Sequence, residues 1–279
     1  MATPSTRSFR LTGADAGPLR VDVRSAGGAR PAVVTCHGFK GFKDWGFFPH
    51  VADRLARAGF TAVSFNFSGS GVGEDGETFD EVERFARMTY SNALRDLAIV
   101  LEALDRGDFG APPATYGLLG HSMGGAIAVL RAATDERARA LVSWGGVARF
   151  GSLWSPDVVP EWRRTGRTPV VNQRTGQVLW LTTDILDDLE AHGRTMLDVL
   201  RAAAAVRAPW LIAHGADDES VPVDAAHDLA RAARPGTAEL LVVAGTGHTF
   251  GVRHPWAGPT PAYERVAEAT VAWLARHLA

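Results

Sequence analysis

Short apolar runs alternate with helical stretches along most of the chain, and this rhythm limits the folds open to it. Pro31–Cys36, Thr61–Phe65, Ala114–Leu119, Ala140–Trp144, Trp210–His214 and Ala238–Val243 are apolar runs of strand length. Such runs suit strands buried on both faces, whereas Leu19–Arg24 alternates like a half-exposed strand. Between them, Leu94, Leu97, Ala98, Leu101 and Leu104 recur at helical spacing. Val129 and Leu130 sit in another helical stretch, and Tyr263, Val266, Thr270, Val271 and Leu274 form a last stripe. Strand–helix alternation without an internal repeat predicts an α/β fold, a mostly parallel, doubly wound sheet flanked by helices. At this length a single unit buries roughly 70–75% of the surface its unfolded chain exposes, enough core for one domain. One domain over residues 1–279 is the expectation.

One segment breaks the rhythm. Residues 149–208 show no clear strand and are rich in Trp, Pro, Arg and Asp, ending in a helical tail, Asp184–Arg201. The stretch is too long for an ordinary connection between two sheet strands and reads as a small inserted cap. It concentrates Trp154, Trp162 and Trp180. Large apolar rings usually cover something, so these three are candidate lining residues of a substrate pocket, or packing that holds the cap on the core.

Composition narrows the function classes. Hydrophobic residues make up 46% and charged residues 22%, which excludes a disordered or collagen-like chain. The net charge of −2 gives no electrostatic case for nucleic acid or an anionic membrane. Of the 29 basic residues only two are lysines, Lys40 and Lys43. The single cysteine, Cys36, cannot form an intrachain disulfide, which fits a reducing compartment. Met1–Arg10 has no apolar core of a signal peptide, and no run reaches the ~20 apolar residues of a membrane helix. A soluble cytoplasmic protein is expected, with assembly into a homo-oligomer left open.

The chemistry-bearing signals fall at strand ends. Gly120-His121-Ser122-Met123-Gly124 follows the run Thr115–Gly120 and precedes an apolar helical stretch. This is the context of a nucleophile elbow, whose tight turn needs small flanking residues and holds the serine hydroxyl clear of the sheet edge. The helix that follows directs its N-terminus at the same spot and favours developing negative charge. A serine needs a base, and the base an orienting carboxylate. His214-Gly215-Ala216-Asp217-Asp218-Glu219 puts an acidic cluster after one strand, and His248 lies in the small-residue loop after the next. Serine, acid and histidine in that order, each after a strand, is the order of α/β hydrolases. The loop His37-Gly38-Phe39-Lys40-Gly41 should supply one oxyanion-hole N–H from Phe39, with the other from Met123.

On these motifs the chain resembles the α/β-hydrolase superfamily over essentially its whole length. Within it the chain is similar to bacterial ester hydrolases grouped near dienelactone hydrolases, cinnamoyl (feruloyl) esterases and prolyl-oligopeptidase catalytic domains. The resemblance implies Ser122 as nucleophile, His248 as base and Asp218 as acid, because the pattern H-G-x-x-D-x-x-V-P sets its aspartate on Asp218 rather than Asp217. It implies no cofactor and a small-molecule ester as substrate, cleaved through an acyl-enzyme. The serine differs from the cysteine nucleophile of dienelactone hydrolases, and the chain lacks the propeller of prolyl oligopeptidases. Two other readings stand beside the esterase: a serine peptidase or amidase with the same triad, and a non-catalytic ligand-binding member of the fold.

Several residues invite other readings. Gly71-Val72-Gly73-Glu74-Asp75-Gly76 matches a dinucleotide fingerprint, but Glu74 and Asp75 put charge where a pyrophosphate would sit, so a glycine loop is the better reading. His37, His121 and His214 lack metal-ligand spacing, so no metal is expected, and His37 is read as ordering the oxyanion loop. His254 rivals His248 as base but lies further from the strand end. Cys36 reads as a small buried hydrophobe. Lys40 and Lys43 read as solvated charges beside Asp44, with contact to an anionic substrate group as the alternative.

Overall fold

Alternate residues of the central strands face two different cores, and this divides the molecule into layers. The computed structural model describes residues 3–27 and 30–278; Met1, Ala2, Gly28, Ala29 and Ala279 of the expected 1–279 domain lie outside them. In chain order the elements are β1 (Ser5–Thr12), β2 (Pro18–Ser25), β3 (Ala32–Cys36), α1 (Phe48–Arg57), β4 (Thr61–Phe65), α2 (Val82–Ala86) and α3 (Tyr90–Arg106). There follow β5 (Tyr116–His121), α4 (Met123–Ala132), β6 (Ala138–Trp144), α5 (Val159–Thr165), β7 (Arg167–Val171), β8 (Val178–Thr182), α6 (Asp184–His192) and α7 (Val199–Ala205). The chain closes with β9 (Trp210–Gly215), α8 (Asp224–Ala232), β10 (Ala238–Val243) and α9 (Pro261–Leu278).

Val34, Leu118, Leu141 and Ile212 pack on one side with α3, α4 and α8. Val33, Leu119, Val142 and Leu211, one residue along each strand, pack on the other with α1 and α9. A two-residue side-chain period on strands buried on both faces produces this division. It explains why the runs carry no polar alternation.

Eight strands form one sheet in the order β1-β2-β4-β3-β5-β6-β9-β10. Those from β4 to β10 pair in parallel, and β1 and β2 are antiparallel at one edge. From β3 the chain first steps one way to β4 and later the other way to β5. The loops leaving β3 and β5 therefore diverge and open a crevice at the carboxyl ends. Cys36 pairs with Gly120, so the loop after β3 begins level with the turn after β5.

Three strands were not expected from sequence. The edge strand β1 is mostly exposed and polar, so it carries no apolar run. Residues 149–208 do contain strands: β7 and β8 form a separate antiparallel hairpin, against the expectation of none. Only Leu179 and Leu181 of β8 turn inward, and Pro169 interrupts the pattern of β7. Trp162, Leu179, Leu181, Ile185, Leu197 and Val199 join the same core as one face of the sheet, so the segment is packed on the body of the molecule. Side-chain bonds add to this: Gln177 Nε2 donates to the Phe79 carbonyl at 2.8 Å and the Asp188 carboxylate accepts from Ser91 N–H at 3.0 Å. Among the described residues no helix is long and apolar enough to cross a membrane.

Candidate active site

The turn between β5 and α4 holds Ser122 at φ +56°, ψ −122°, where a side chain is rare and costs of order 1–3 kcal/mol. Backbone hydrogen bonds maintain it: Ser122 N–H donates to the Trp144 carbonyl at 2.9 Å, and the Ser122 carbonyl accepts from Gly125 and Val147 at 3.0 and 3.3 Å. Gly124 is required sterically, since a methyl group there would lie 2.3 Å from the Cys36 carbonyl oxygen. Met123 is the first residue of α4, so its N–H has no acceptor within the helix.

The loops after β9 and β10 bring Asp218 and His248 together. Asp218 Oδ2 lies 2.7 Å from His248 Nδ1. Its other oxygen, Oδ1, accepts from the backbone N–H groups of Ser220 and Val221, both at 2.9 Å. Burial raises the Asp218 pKa, but hydrogen bonds from His214 and His248 outweigh it, and the net direction is down, so the carboxylate stays ionised. Asp217 and Glu219 are exposed. Two neighbours of this pair have other readings in the sequence: His214 is weighed only as a metal ligand, and Gly145 carries no role. His214 is fully buried, donates from Nε2 to the Val221 carbonyl at 2.8 Å and lies 3.3 Å from Asp218 Oδ2. Gly145, at φ +53°, passes so close that a methyl group there would sit 3.1 Å from His248 Nδ1. The spacing of His214 and Asp218, four residues apart across a Gly turn, was the available signal for the first.

His37 ties down the loop after β3. Phe67 N–H donates to its Nε2 at 3.1 Å, which leaves the proton on Nδ1, placed 2.8 Å from the Gly38 carbonyl. A methyl group at Gly38 would lie 2.9 Å from Ser122 Cβ, so the loop carrying Phe39 runs against the serine. No acceptor among the described residues takes up the Phe39 N–H. His121 donates from Nε2 to the His248 carbonyl at 3.0 Å, bracing the loop of His248. His254 is held differently from His248: Nδ1 accepts from Gly46 N–H at 2.9 Å, and its nearest carboxylate, Glu77, is 3.7 Å from Nε2. Cys36 is buried and its thiol pKa is pushed up by desolvation, which keeps it protonated. Among the described residues no group of three or more His, Cys, Asp or Glu side chains is arranged to hold a metal ion. In the glycine loop, Glu74 pairs with Arg10 and Arg20.

Ser122 and His248 line one cavity of about 540 Å³, together with Phe39, Lys40, Trp45, Asn172, Arg174 and Arg253. A second cavity of about 430 Å³ shares Gly38, Phe39 and Lys40 and reaches Met123, but neither Ser122 nor His248 lines it. The three tryptophans expected at the pocket line neither cavity. Trp162 is buried in the core, and Trp180 is 41% exposed under the Arg167 guanidinium. Trp154 stacks edge-on against Phe39 and Trp162 and donates to the Tyr90 hydroxyl at 3.0 Å. The apolar area of Trp154 and Trp162 goes into fixing the segment to the core, which is the packing role, whereas Trp180 stays largely on the surface. The two lysines also separate. Lys43 bonds Asp22 at 2.6 Å and pairs with Asp44, whereas Lys40 reaches the Val171 carbonyl at 3.2 Å.

The buried histidines make the site acid-sensitive. Desolvation lowers the pKa of His37 to about 4 and of His121 to about 3, the latter helped by His248. An unfolded chain protonates them near 6.5. Unfolding therefore takes up protons below about pH 6.5, and this contribution to stability is lost as the pH falls toward the folded values. Asp96 opposes them: burial, partly offset by hydrogen bonds from Ala14 and Ser68, raises its pKa to about 6. Two histidines outweigh one carboxyl, so a net loss of about 3 kcal/mol is expected between neutral pH and about pH 4.5. Denaturant titrations at the two pH values check this; equal unfolding free energies would mean that the rings protonate freely in the folded state.

A strand order that reverses at β3, with a strained serine turn after β5, defines an α/β hydrolase. The sequence profile described as "Serine aminopeptidase, S33" matches residues 27–177, more than half of the chain, and the chain belongs to that family. The matched region includes the loop after β3 and Ser122 and stops before Asp218 and His248. The chain is 27% identical over 206 residues to 2,6-dihydropseudooxynicotine hydrolase of Paenarthrobacter nicotinovorans, covering 72% of this chain and 48% of that protein. It thus spans about half the length of this curated relative. Among solved structures, a putative hydrolase from Agrobacterium vitis S4 superimposes with a TM-score of 0.74 at 21% identity, covering 97% of this chain and 98% of the other. A dienelactone hydrolase from Anabaena variabilis gives 0.66 at 19% identity, covering 99% and 100%. These likenesses establish the fold.

Proposed function

We propose that the chain hydrolyses carboxylic esters through an acyl-enzyme on Ser122. The observation that carries this reading is His248, 2.7 Å from the buried Asp218, in the same cavity wall as a serine held at a strained strand–helix turn. With Asp218 accepting from Nδ1–H, His248 Nε2 is free to take the Ser122 proton as Oγ bonds to the ester carbonyl carbon. Negative charge passes to the carbonyl oxygen, where the N–H groups of Phe39 and Met123 and the start of α4 stabilise it. Collapse breaks the ester C–O bond, and His248 returns the proton to the departing alcohol. Water then attacks the acyl-serine with His248 as base and releases the acid.

The family description raises peptide hydrolysis as a second reading. An aminopeptidase must hold the α-ammonium of its substrate, which calls for a carboxylate. The described lining offers Lys40, Arg174 and Arg253 and no acidic residue, which favours the ester. The test is a fluorophosphonate probe with peptide mapping, alongside turnover of 4-nitrophenyl acetate and of aminoacyl arylamides. Labelling on Ser122 with ester turnover is expected. An unlabelled protein would support ligand binding without catalysis, and faster arylamide turnover would support the peptidase.

A further inference from the structure

The cavity that holds Ser122 and His248 is rich in hydrogen-bond donors and poor in charged acceptors. Lys40, Arg174 and Arg253 line it, and no Asp or Glu does among the described residues. Three separate loops bring these cations together: the one after β3, the turn of the β7–β8 hairpin, and the one after β10. Lys40 is the most constrained of them. Its backbone is in the left-handed region at φ +57°, it is half-buried, and among the described residues its ammonium has no carboxylate partner. Desolvation lowers its pKa, the mark of a cation lacking compensation.

Two other residues of the lining carry buried polar atoms without partners. Asn172 is 7% exposed, and its Nδ2 has no hydrogen-bond partner. Its Oδ1 accepts from Arg174 N–H at 3.1 Å, which fixes the unmatched end as the NH₂ donor. His254 accepts at Nδ1 from Gly46 N–H, so the neutral ring carries its proton on Nε2, which also lacks a partner. Glu77, 3.7 Å from that nitrogen, is beyond hydrogen-bond reach, and its side chain is turned mostly to solvent. Asn172 Nδ2 and His254 Nε2 both have almost no accessible surface, so the donors the lining offers to a ligand are those of Lys40, Arg174 and Arg253.

We propose that the substrate is an ester bearing a carboxylate, which Lys40 and Arg174 hold while Ser122 attacks the ester carbonyl. This rests on the ester-hydrolase reading. The hairpin turn that carries Asn172 and Arg174 is then the specificity element of residues 149–208. It is tethered beside the site by Arg174, which donates to the Glu77 carbonyl at 3.1 Å, and by the Lys40–Val171 bond.

The test compares esters matched in shape and differing in charge. With the charge on the acyl side, the pair is the 4-methylumbelliferyl monoesters of adipic acid and of adipic acid monoamide. With the charge on the alcohol side, it is 4-acetoxybenzoate and 4-acetoxybenzamide. In one of the two pairs the carboxylate member should be favoured in kcat/KM by about ten- to a hundredfold, as charge-assisted hydrogen bonds allow. Lys40→Met and, on the exposed hairpin turn, Arg174→Gln should each compress that ratio, and so should added salt. Equal kcat/KM within both pairs would overturn the proposal and leave the hydrolase standing. Turnover of no ester at all would overturn the hydrolase reading instead. Calorimetric titration with adipate and adipamide then decides on the anion site: at least about tenfold tighter adipate binding, lost in Lys40→Met, supports it, and equal binding overturns it.

Discussion

Ser122→Ala should lower kcat for a model ester by about 10⁴–10⁶ while leaving the fold intact. The size follows from the chemistry: without the hydroxyl there is no atom to carry the acyl group, and His248 is left to activate water directly. A residual rate about 10³–10⁴ above uncatalysed hydrolysis should remain, because the N–H groups of Phe39 and Met123 still meet the oxyanion. Structural tolerance follows from how the turn is held. The bonds that fix φ at +56° run from the Ser122 backbone to Trp144, Gly125 and Val147, and alanine makes all of them. The melting temperature should therefore hardly move, as for a substitution worth less than about 0.5 kcal/mol. Near wild-type kcat in Ser122→Ala would transfer the nucleophile elsewhere and sink the mechanism.

Most of the sheet was legible because parallel strands buried on both faces need continuous apolar runs, and Thr61–Phe65 and Ala238–Val243 appear in the structure with those bounds. The strands that escaped notice are those whose stability is not written in apolar pattern. β1 is an exposed edge, and β7–β8 is a hairpin with one inward face and a proline. The stripe of α3 is rotated from the expected one: Leu97, Leu101 and Leu104 are buried, but Leu94 and Ala98 are only half-buried, and Asp96 is buried instead. A carboxylate in a buried helix face looks like an error in sequence. Here it accepts from Ala14 N–H, Ser68 N–H and Ser68 Oγ, bonds to residues far away in the chain.

The same distinction runs through the site. Residues at strand ends could be placed because the fold's order fixes where those ends lie. Residues recruited sideways could not. His214 meets Asp218 only because the chain folds back over four residues, and Asn172 and Arg174 reach the cavity on a hairpin that had no strand signal. The tryptophans illustrate the converse error. For Trp154 and Trp162 aromatic concentration reported packing, on the core and the Phe39 ring, while Trp180 lies 41% exposed against Arg167.

Asp218→Asn should reduce kcat by about 10⁴, whereas Asp217→Asn should have little effect. The asymmetry is geometric. Asp217 is exposed, and among the described residues its side chain has no hydrogen bond, so an amide there changes little beyond surface charge. At position 218 the hydrogen bonds decide which way an amide must face. The Ser220 and Val221 N–H groups both point at Oδ1, so the amide oxygen is retained there, because an NH₂ group would meet two donors. The NH₂ group must then take the place of Oδ2, facing His248 Nδ1. A donor at that place forces Nδ1 to become the acceptor and moves the imidazole proton to Nε2, the atom that must be free to receive the Ser122 proton. The ring keeps its place and loses its function as base, so kcat should collapse without loss of folding. His214 Nε2–H, 3.3 Å from the place of Oδ2, loses an acceptor as well but keeps the Val221 carbonyl at 2.8 Å. Measured kcat values for the two variants with one ester decide the assignment. A large loss in Asp217→Asn with a small one in Asp218→Asn would move the orienting carboxylate to position 217. That outcome would require the loop after β9 to rearrange, because in the present geometry it is Asp218, not Asp217, that lies within hydrogen-bond reach of His248.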